Sequence, residues 1–412
     1  MDEYVGMIRA QVLARMDLSR DMSDEEILDM IGEETAKLCS GQPVTLHERL
    51  QLQQRVFNSL RKLDALQELI DDPEVSEIMV NGPEHIFYEK AGRVYTWNQQ
   101  FASEEKMQDV IQQIVGRHNR VVNLSNPIVD TRLADGSRVN IVLSPISLDG
   151  SAITIRKFPE KPLDMENLIQ KGAITKEAAE LLAKLVRARY SLLISGGTSS
   201  GKTTFLNALS QYIPEDERVI TIEDSAELQI QGVKNLVRLE TRNANMEGVM
   251  PVSIRDLIRT ALRMRPDRII VGECRGAEAF DMLQALNTGH DGGLSTAHGN
   301  SSQDILARLE MMVLMGMELP LGAIRQQIAS GIDIIVHLGR LSDKSRRILE
   351  IMEIKGMENG EIILSPLYQL KGEEGAWELI RTGELLNRNK LVMAGMEPVT
   401  ESRKKEGKKH GL

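Results

Sequence analysis

One stretch constrains this chain more than any other: Gly196-Gly197-Thr198-Ser199-Ser200-Gly201-Lys202-Thr203 fits the GxxxxGK[ST] pattern in full. Its flanks fit as well. Leu192-Leu-Ile-Ser precedes it as a short apolar strand, and Phe205, Leu206, Leu209 and Ile213 follow at helical spacing. The glycines let backbone N–H groups converge, and the start of the following helix adds a positive dipole end, so the turn suits phosphates. In such a loop Lys202 bridges the β- and γ-phosphates of ATP and the Thr203 hydroxyl ligates Mg²⁺, with Thr204 next in line. The bland alternative is an ordinary glycine-rich turn, and chance matches rarely have both flanks correct.

The strand-then-helix rhythm continues around the loop. Over residues 165–340, the runs Leu192–Ser195, Val219–Ile222, Leu236–Leu239, Arg268–Val271, Leu294–Ala297 and Ile332–Leu338 alternate with helical patterns. That is the pattern of an α/β fold whose parallel sheet is covered on both faces. Ser253 and Asp256 offer a cap to a helix with Ile254, Leu257, Ile258, Ala261 and Leu262 on one stripe, and Pro266 stops it. Farther on, Arg347–Ile354 and Glu361–Leu364 flank Asn359-Gly360, a hairpin signal.

The rest of the chain divides around this core. Residues 1–65 read as a helical N-terminal region, with a capping box at Ser23-Asp-Glu-Glu26 and a second helix over His47–Leu60. Residues 66–156 read as a small α+β N-domain: strands Ser76–Val80 and Ile86–Trp97 separated by Asn81-Gly82-Pro83, a helix from Ser103 to Asn119, and a strand Ala152–Arg156. Between the last two, Arg132 to Asn140 forms a hairpin turned at Asp135-Gly136. A two-residue turn would set Arg132 and Arg138 on opposite faces. A three-residue turn over Asp135–Ser137 pairs Ala134 with Arg138 and sets both arginines on one face, and this is the expected register. Residues 157–164 (KFPEKPLD) read as a linker, 165–385 as the P-loop domain, and 386–412 as a basic, disordered tail.

Composition excludes several classes. A net charge of −10, a pI near 5.4 and 3% aromatic residues count against a surface that neutralises nucleic-acid phosphates or stacks bases. Direct nucleic-acid binding is therefore not expected. Cys39 and Cys274 give neither a disulfide framework nor zinc spacing, which fits a reducing compartment. The N-terminal stretch has no apolar signal core, and no apolar run approaches the ~20 residues of a membrane span. Membrane association is expected to go through a partner.

Several polar residues fall at predicted strand ends, where open α/β sheets collect ligands. Glu273 follows Arg268-Ile-Ile-Val-Gly and is placed to polarise an attacking water. Gly272 stands where a metal-ligating Asp is usual. Thr221-Ile-Glu223-Asp224-Ser-Ala-Glu227 brings three more acids, either to orient Mg²⁺ waters and the nucleophile or to cap a solvated loop. His298 ends Leu294-Ser-Thr-Ala and is placed to contact a γ-phosphate. His290 is a looser candidate in a glycine-rich loop. His47, His85, His118, His337 and His410 show no ligand spacing and read as ordinary. Met311 to Met317 reads as core or as an adaptable interface.

The order of these blocks resembles that of type II and type IV secretion and pilus-assembly ATPases: the glycine-rich loop, TIEDSAEL, RIIVGE and STAHGN. Longer stretches resemble the CpaF-like proteins of Tad (Flp) pili: EVSEIMVNGP, RLADGSRVNIVL, AITIRKF, SIRDLIRTALRMRPDRIIVGE, MLQALNTGHDG and QIASGIDIIVHLGRLSD, spread over residues 45–355. The resemblance implies a hexameric cytoplasmic motor, recruited to the inner face of the cell membrane by a platform protein, with a RecA-like ATPase domain and a PAS-like N-domain. By position it assigns Lys202 and Thr203 to ATP and Mg²⁺, Glu273 to catalysis, His298 to phosphate sensing, and Glu223 and Asp224 to its acidic box. It also implies arginines that reach a nucleotide across domains or subunits: Arg132, Arg138, Arg156, Arg238 and Arg242. For each of these a surface ion pair is the competing reading. Cys274 and the stretch Asn243-Ala-Asn245-Met depart from the family pattern. Two other functions fit the same motifs: a DNA-transfer motor of a conjugation system, and a nucleotide-gated scaffold with little turnover.

Overall fold

Two units, Met1–Glu160 and Lys161–Leu412, carry separate apolar cores in this computed structural model. It describes residues 2–17, 19–40, 42–117, 121–158, 162–242, 250–373 and 376–397. His118, the expected helix end at Asn119, the middle of the linker, the Asn243–Met246 departure, His410 and the basic run Arg403–Lys409 lie outside the described residues.

In the first unit, helices α1 (Asp2–Arg15), α2 (Asp24–Leu38) and α3 (Leu46–Arg61) bury Ile8, Val12, Ile27, Ile31, Leu52 and Val56 among themselves. Ser23 with Glu26, and Thr45 with Glu48, each form a reciprocal capping box that fixes where α2 and α3 begin. Helix α4 (Gln67–Asp71), strands β1 (Val75–Asn81), β2 (His85–Lys90) and β3 (Arg93–Thr96), helix α5 (Glu104–Gly116) and strands β4 (Ile128–Arg132), β5 (Arg138–Val142) and β6 (Ala152–Arg156) follow. The six strands form an antiparallel sheet in the order β3-β2-β1-β6-β5-β4. The strand expected over Ile86–Trp97 is thus two strands. Ala91 and Gly92 take φ of 51° and 77°, a pair of left-handed residues that turns a tight hairpin.

The Arg132 hairpin also differs from expectation. Leu133 N–H donates to Ser137 O and Gly136 N–H to Leu133 O, with Gly136 at φ 90°. The loop is therefore Ala134–Gly136, and Arg132 rather than Ala134 pairs with Arg138. An even shift preserves the face, so both arginines still lie on one side. Arg138 pairs in turn with Arg156, and Arg156 with Glu77, giving one row across four strands.

In the second unit the chain forms α6 (Met165–Gln170), α7 (Lys176–Arg187), β7 (Leu192–Gly196), α8 (Lys202–Ser210), β8 (Arg218–Glu223), β9 (Asn235–Glu240), α9 (Ile254–Ala261), β10 (Arg268–Cys274) and α10 (Glu278–Asn287). It continues through β11 (Leu294–His298), α11 (Ser302–Gly316), α12 (Leu321–Gly331), β12 (Ile334–Arg340), β13 (Arg346–Glu358), β14 (Glu361–Lys371), β15 (Glu378–Arg381) and α13 (Asn389–Met393). The nine strands are ordered β15-β14-β13-β12-β7-β11-β10-β8-β9. The six from β12 to β9 are parallel, and β13 to β15 add antiparallel strands at one edge.

Alternate residues of β7 feed two cores. Leu192 and Ile194 pack with α7 and α8 on one face, Leu193 with α9 to α12 on the other. β12 starts at Ile334, later than expected, because Ile332 still closes α12. The 359–360 hairpin is longer than its apolar runs suggested, and β15 carried no sequence signal strong enough to be anticipated. The methionine run divides: Met312 and Val313 are buried, whereas Met311, Leu314, Met315 and Met317 are exposed.

At the N-terminal edge of this sheet Arg268 is fully buried. It donates to both carboxylate oxygens of Glu217 and to the carbonyls of Gly292 and Val186, joining β10 to the segments before β8 and β11 and to the last turn of α7. Replacing it leaves the largely buried Glu217 carboxylate with Arg189, whose Nε lies 3.3 Å from Oε1, and without its bidentate partner. Arg268→Met is expected to destabilise the protein by about 3 kcal/mol in denaturant unfolding. Arg268→Met with Glu217→Gln should recover part of that loss.

Candidate active site

Parallel strands end together, so one edge of the sheet receives the loop after β7 and the last residues of β8, β10 and β11. Glycine-rich backbone shapes the first of these. Gly196 has φ 156°, Ser199 φ 57° and Gly201 φ 95°, and Gly201 caps α8. A Cβ at Gly196 would collide with the Leu338 carbonyl and lie 2.6 Å from Ser200 Oγ. Ser200 Oγ is buried without a hydrogen-bond partner. Thr203 and Thr204, on the first turn of α8, are half-buried.

The Lys202 side chain is buried and points back into its own loop. Its Nζ donates to Gly196 O at 3.1 Å, to Gly197 O at 2.9 Å and to His298 Nδ1 at 3.3 Å. An ammonium has only donors, so Nδ1 accepts and the proton of a neutral His298 sits on Nε2. Burial, then the neighbouring Lys202 charge, lowers the His298 pKa and keeps the ring neutral. Nε2 lies 2.9 Å from Glu273 Oε1, a close charge contact rather than a hydrogen bond, since Oε1 is buried without a hydrogen-bond partner among the described residues. The other oxygen of Glu273 accepts from Arg275 Nη2 at 2.6 Å. A continuous line thus runs from the phosphate loop through Lys202, His298 and Glu273 to Arg275.

The acidic stretch after β8 divides by burial. Asp224 is exposed, near Thr241 Oγ1 at 3.4 Å and Arg275 Nη1 at 4.0 Å. Glu223 is buried, and its Oε2 accepts the backbone N–H groups of Glu227 at 2.7 Å and Leu228 at 2.8 Å. Its Oε1 is buried without a hydrogen-bond partner. Gly272 explains how it fits: a Cβ there would stand 2.8 Å from Glu223 Cγ. The place of the Asp usual on β10 is filled by the side chain of an acid on β8.

The other expected residues fall elsewhere. Arg238 donates to Leu228 O at 3.1 Å, which braces the acidic loop, and Arg242 donates to Met250 O at 3.1 Å. Arg132, Arg138 and Arg156 belong to the first unit. His290 precedes β11 and so lies at the opposite sheet edge from His298. His337, read as ordinary, is buried beside the loop strand, with Nδ1 2.8 Å from Ser195 Oγ. Sequence reasoning missed Arg275 and Arg346. Arg275 announces itself only as a cation two residues after the acid. Arg346 Nε donates to Ser199 O at 2.9 Å from a strand 147 residues away, a proximity with no local signal.

Burial pushes the Glu223 carboxyl up to about 7, against the two backbone N–H groups and Arg238, which act to lower it. Because the folded value lies above the unfolded one, the stabilisation is complete below the ordinary Glu value and is lost as pH rises through 7. Its size is about 3 kcal/mol at 1.36 kcal/mol per pKa unit. Glu223→Gln, which keeps an acceptor for both N–H groups, should lose this dependence. Melting midpoints of wild type and variant are expected to converge or cross between pH 5 and 8, with wild type losing ground as pH rises.

Residues 59–385 match the type II/IV secretion system protein family. The chain is 35% identical over 299 residues to a putative conjugal transfer protein of Mycobacterium tuberculosis, covering 71% of this chain and 84% of the relative. It is 33% identical over 324 residues to the type IV secretion system protein PtlH of Bordetella pertussis, covering 72% and 95%. In fold it is similar to the pilus retraction motor PilT, solved with bound ADP, at a TM-score of 0.53 and 21% identity over 79% of this chain and 84% of that one. The second unit is a RecA-like core, and the chain belongs to the type II/IV secretion system family of ATPases.

Proposed function

We propose that this chain hydrolyses ATP to drive pilus assembly or protein secretion, as a homo-hexameric motor docked on a membrane platform protein. The observation that carries the reading is the line Lys202–His298–Glu273 at the mouth of a glycine-rich loop. Phosphates entering the loop offer Lys202 better partners than two neutral carbonyls. Its departure frees His298 Nδ1 and removes the charge that disfavours a protonated ring, so the imidazole registers occupancy. Glu273 takes a proton from the attacking water as the β–γ bridge bond breaks to give ADP and phosphate.

Among the described residues no group of three or more His, Cys, Asp or Glu is arranged to hold a metal by itself. A Mg²⁺ would arrive with the nucleotide, with the Thr203 hydroxyl as its protein ligand and Asp224 near enough to the edge to orient its waters. It would neutralise charge on the phosphates.

The quoted sequence blocks favour a CpaF-like role at a Tad pilus. Among the described residues no helix is long and apolar enough to cross a membrane, which suits recruitment by a partner at the inner face of the cell membrane. A DNA-transfer motor is the second reading, favoured by the conjugal-transfer relatives. The net charge of −10 and scarce aromatics weigh against direct DNA contact. A deletion strain complemented with Lys202→Ala separates the two: loss of surface pili or of secreted protein supports the first, loss of conjugative transfer alone the second.

Two outcomes test the chemistry. Lys202→Ala should abolish ATP binding, whereas Glu273→Gln should retain it and lower turnover by at least ~10²-fold in a steady-state phosphate-release assay. A normal rate in Glu273→Gln beside a dead Glu223→Gln would move the base to the acidic loop. A wild-type oligomer without turnover would favour the gated scaffold.

The arginine row of the first unit is proposed to complete the site of a neighbouring subunit. An arginine supplied in trans adds ~10³ to 10⁵ in rate in this chemistry. Arg138→Ala and Lys202→Ala proteins, each inactive alone, should regain activity in mixed rings. Verified mixed hexamers without recovery would leave the row a structural feature.

A further inference from the structure

We propose that Arg346 is a nucleotide-positioning residue that binds the phosphate chain at the end nearer the ribose. The inference rests on the nucleotide reading of the loop. It begins from sheet order: β11 and β10, which carry His298 and Glu273, lie on one side of β7, and β12 with β13 on the other. A γ-phosphate between Lys202 and Glu273 therefore directs the remaining phosphates and the nucleoside away from β10, toward the β12–β13 hairpin.

That hairpin is in contact with the loop at two points. The Leu338 carbonyl occupies the space a Cβ would need at Gly196. Arg346, the first residue of β13, donates from Nε to Ser199 O, and its Cδ is the nearest atom, at 3.5 Å, to where a Gly201 Cβ would stand. Ser199 is the non-glycine residue of the loop held at positive φ, 57°. The bond from Arg346 fixes its carbonyl on the outer side and helps keep that peptide turned.

One nitrogen is thus committed. The two terminal amino groups of Arg346 make no hydrogen bond with any described residue, and the side chain is exposed. A guanidinium held by Nε presents its other N–H groups as a planar fork, the geometry that phosphate oxygens accept in pairs. The surroundings add positive charge: Arg340 pairs directly with Arg346 across the hairpin, and Lys344 sits in its turn, against the one acid Asp343. Arg347 leaves by the other face of β13, toward Trp377 O and Gly172, and is not part of the fork.

A brace on the loop and a contact to the ligand make different demands on the side chain. A brace needs only a donor to Ser199 O, which Gln can supply, whereas the contact needs the charge. Affinity for ADP and for a non-hydrolysable ATP analogue is measured by calorimetry on full-length wild type, Arg346→Ala, Arg346→Gln and Arg346→Lys, with Lys202→Ala as the non-binding control.

Arg346→Ala and Arg346→Gln should both weaken ADP and the ATP analogue, by similar factors of ~10 or more, the scale of one lost charge-assisted pair. Arg346→Lys should fall between them and wild type. KM for ATP should rise with kcat at saturation changed less than twofold, because the contact lies away from the transferred phosphate. Three results overturn the inference: ADP affinity within twofold of wild type in Arg346→Ala, full recovery by Arg346→Gln, or loss for the ATP analogue with ADP unaffected. Wild type that binds neither nucleotide would overturn the nucleotide reading itself, and a folded Arg346→Ala confirmed by its melting midpoint keeps the comparison valid.

Discussion

A buried ammonium inside the phosphate loop is the constraint on which the site turns. Lys202 is desolvated by the loop and by the helix it opens, and its Nζ donates to two carbonyls and an imidazole nitrogen. Hydrogen bonds from an ammonium to anionic oxygens are stronger than those to neutral carbonyls, so phosphate oxygens entering the loop compete well for these donors. The consequence reaches outward. His298 must stay neutral with its proton on Nε2, which orients the ring toward Glu273, and Glu273 in turn fixes Arg275.

The relation between Gly272 and Glu223 has the same economy. A side chain on Gly272 would have to displace Glu223, whose carboxylate ties down the start of the acidic loop through two backbone N–H groups. Glu223 therefore sits as a holder of shape, and the exposed Asp224 beside it, within reach of Arg275, is the acid that faces solvent at the edge. Two adjacent carboxylates, alternating across a strand end, take opposite environments because one points between strands and the other out. That division is what lets a sequence carry acids at the site without concentrating like charge in its interior.

How much of this was legible in the sequence follows from the range of each interaction. The loop, the helix caps at Ser23 and Ser253, and the strands of the parallel core are local or periodic, and their residues announced them. The hairpin at Ala91-Gly92 was missed because a single glycine beside alanine is a weak turn signal. The turn at Gly136 was recognised, but its register was set by where Leu133 and Ser137 bond, which residue type alone does not fix. Glu273 and His298 were found because strand ends converge in an open α/β sheet. Their direct juxtaposition, the His337–Ser195 pair and the reach of Arg346 depend on which strands are neighbours, and strand order is not written in any single segment.

The arginine row of the first unit shows how that non-local order creates a property no segment holds. Arg132, Arg138 and Arg156 come from three strands and share one face only because β4, β5 and β6 are adjacent in this register. Directly opposed like charges on a sheet are destabilising. Glu77 follows Arg156 in the row and Glu89 follows Glu77, and burial and Glu89 push Glu77 toward its neutral form. An anion at that face would meet three guanidiniums from three strands, and this shared face is the physical basis for proposing that the row serves the nucleotide of a neighbouring subunit.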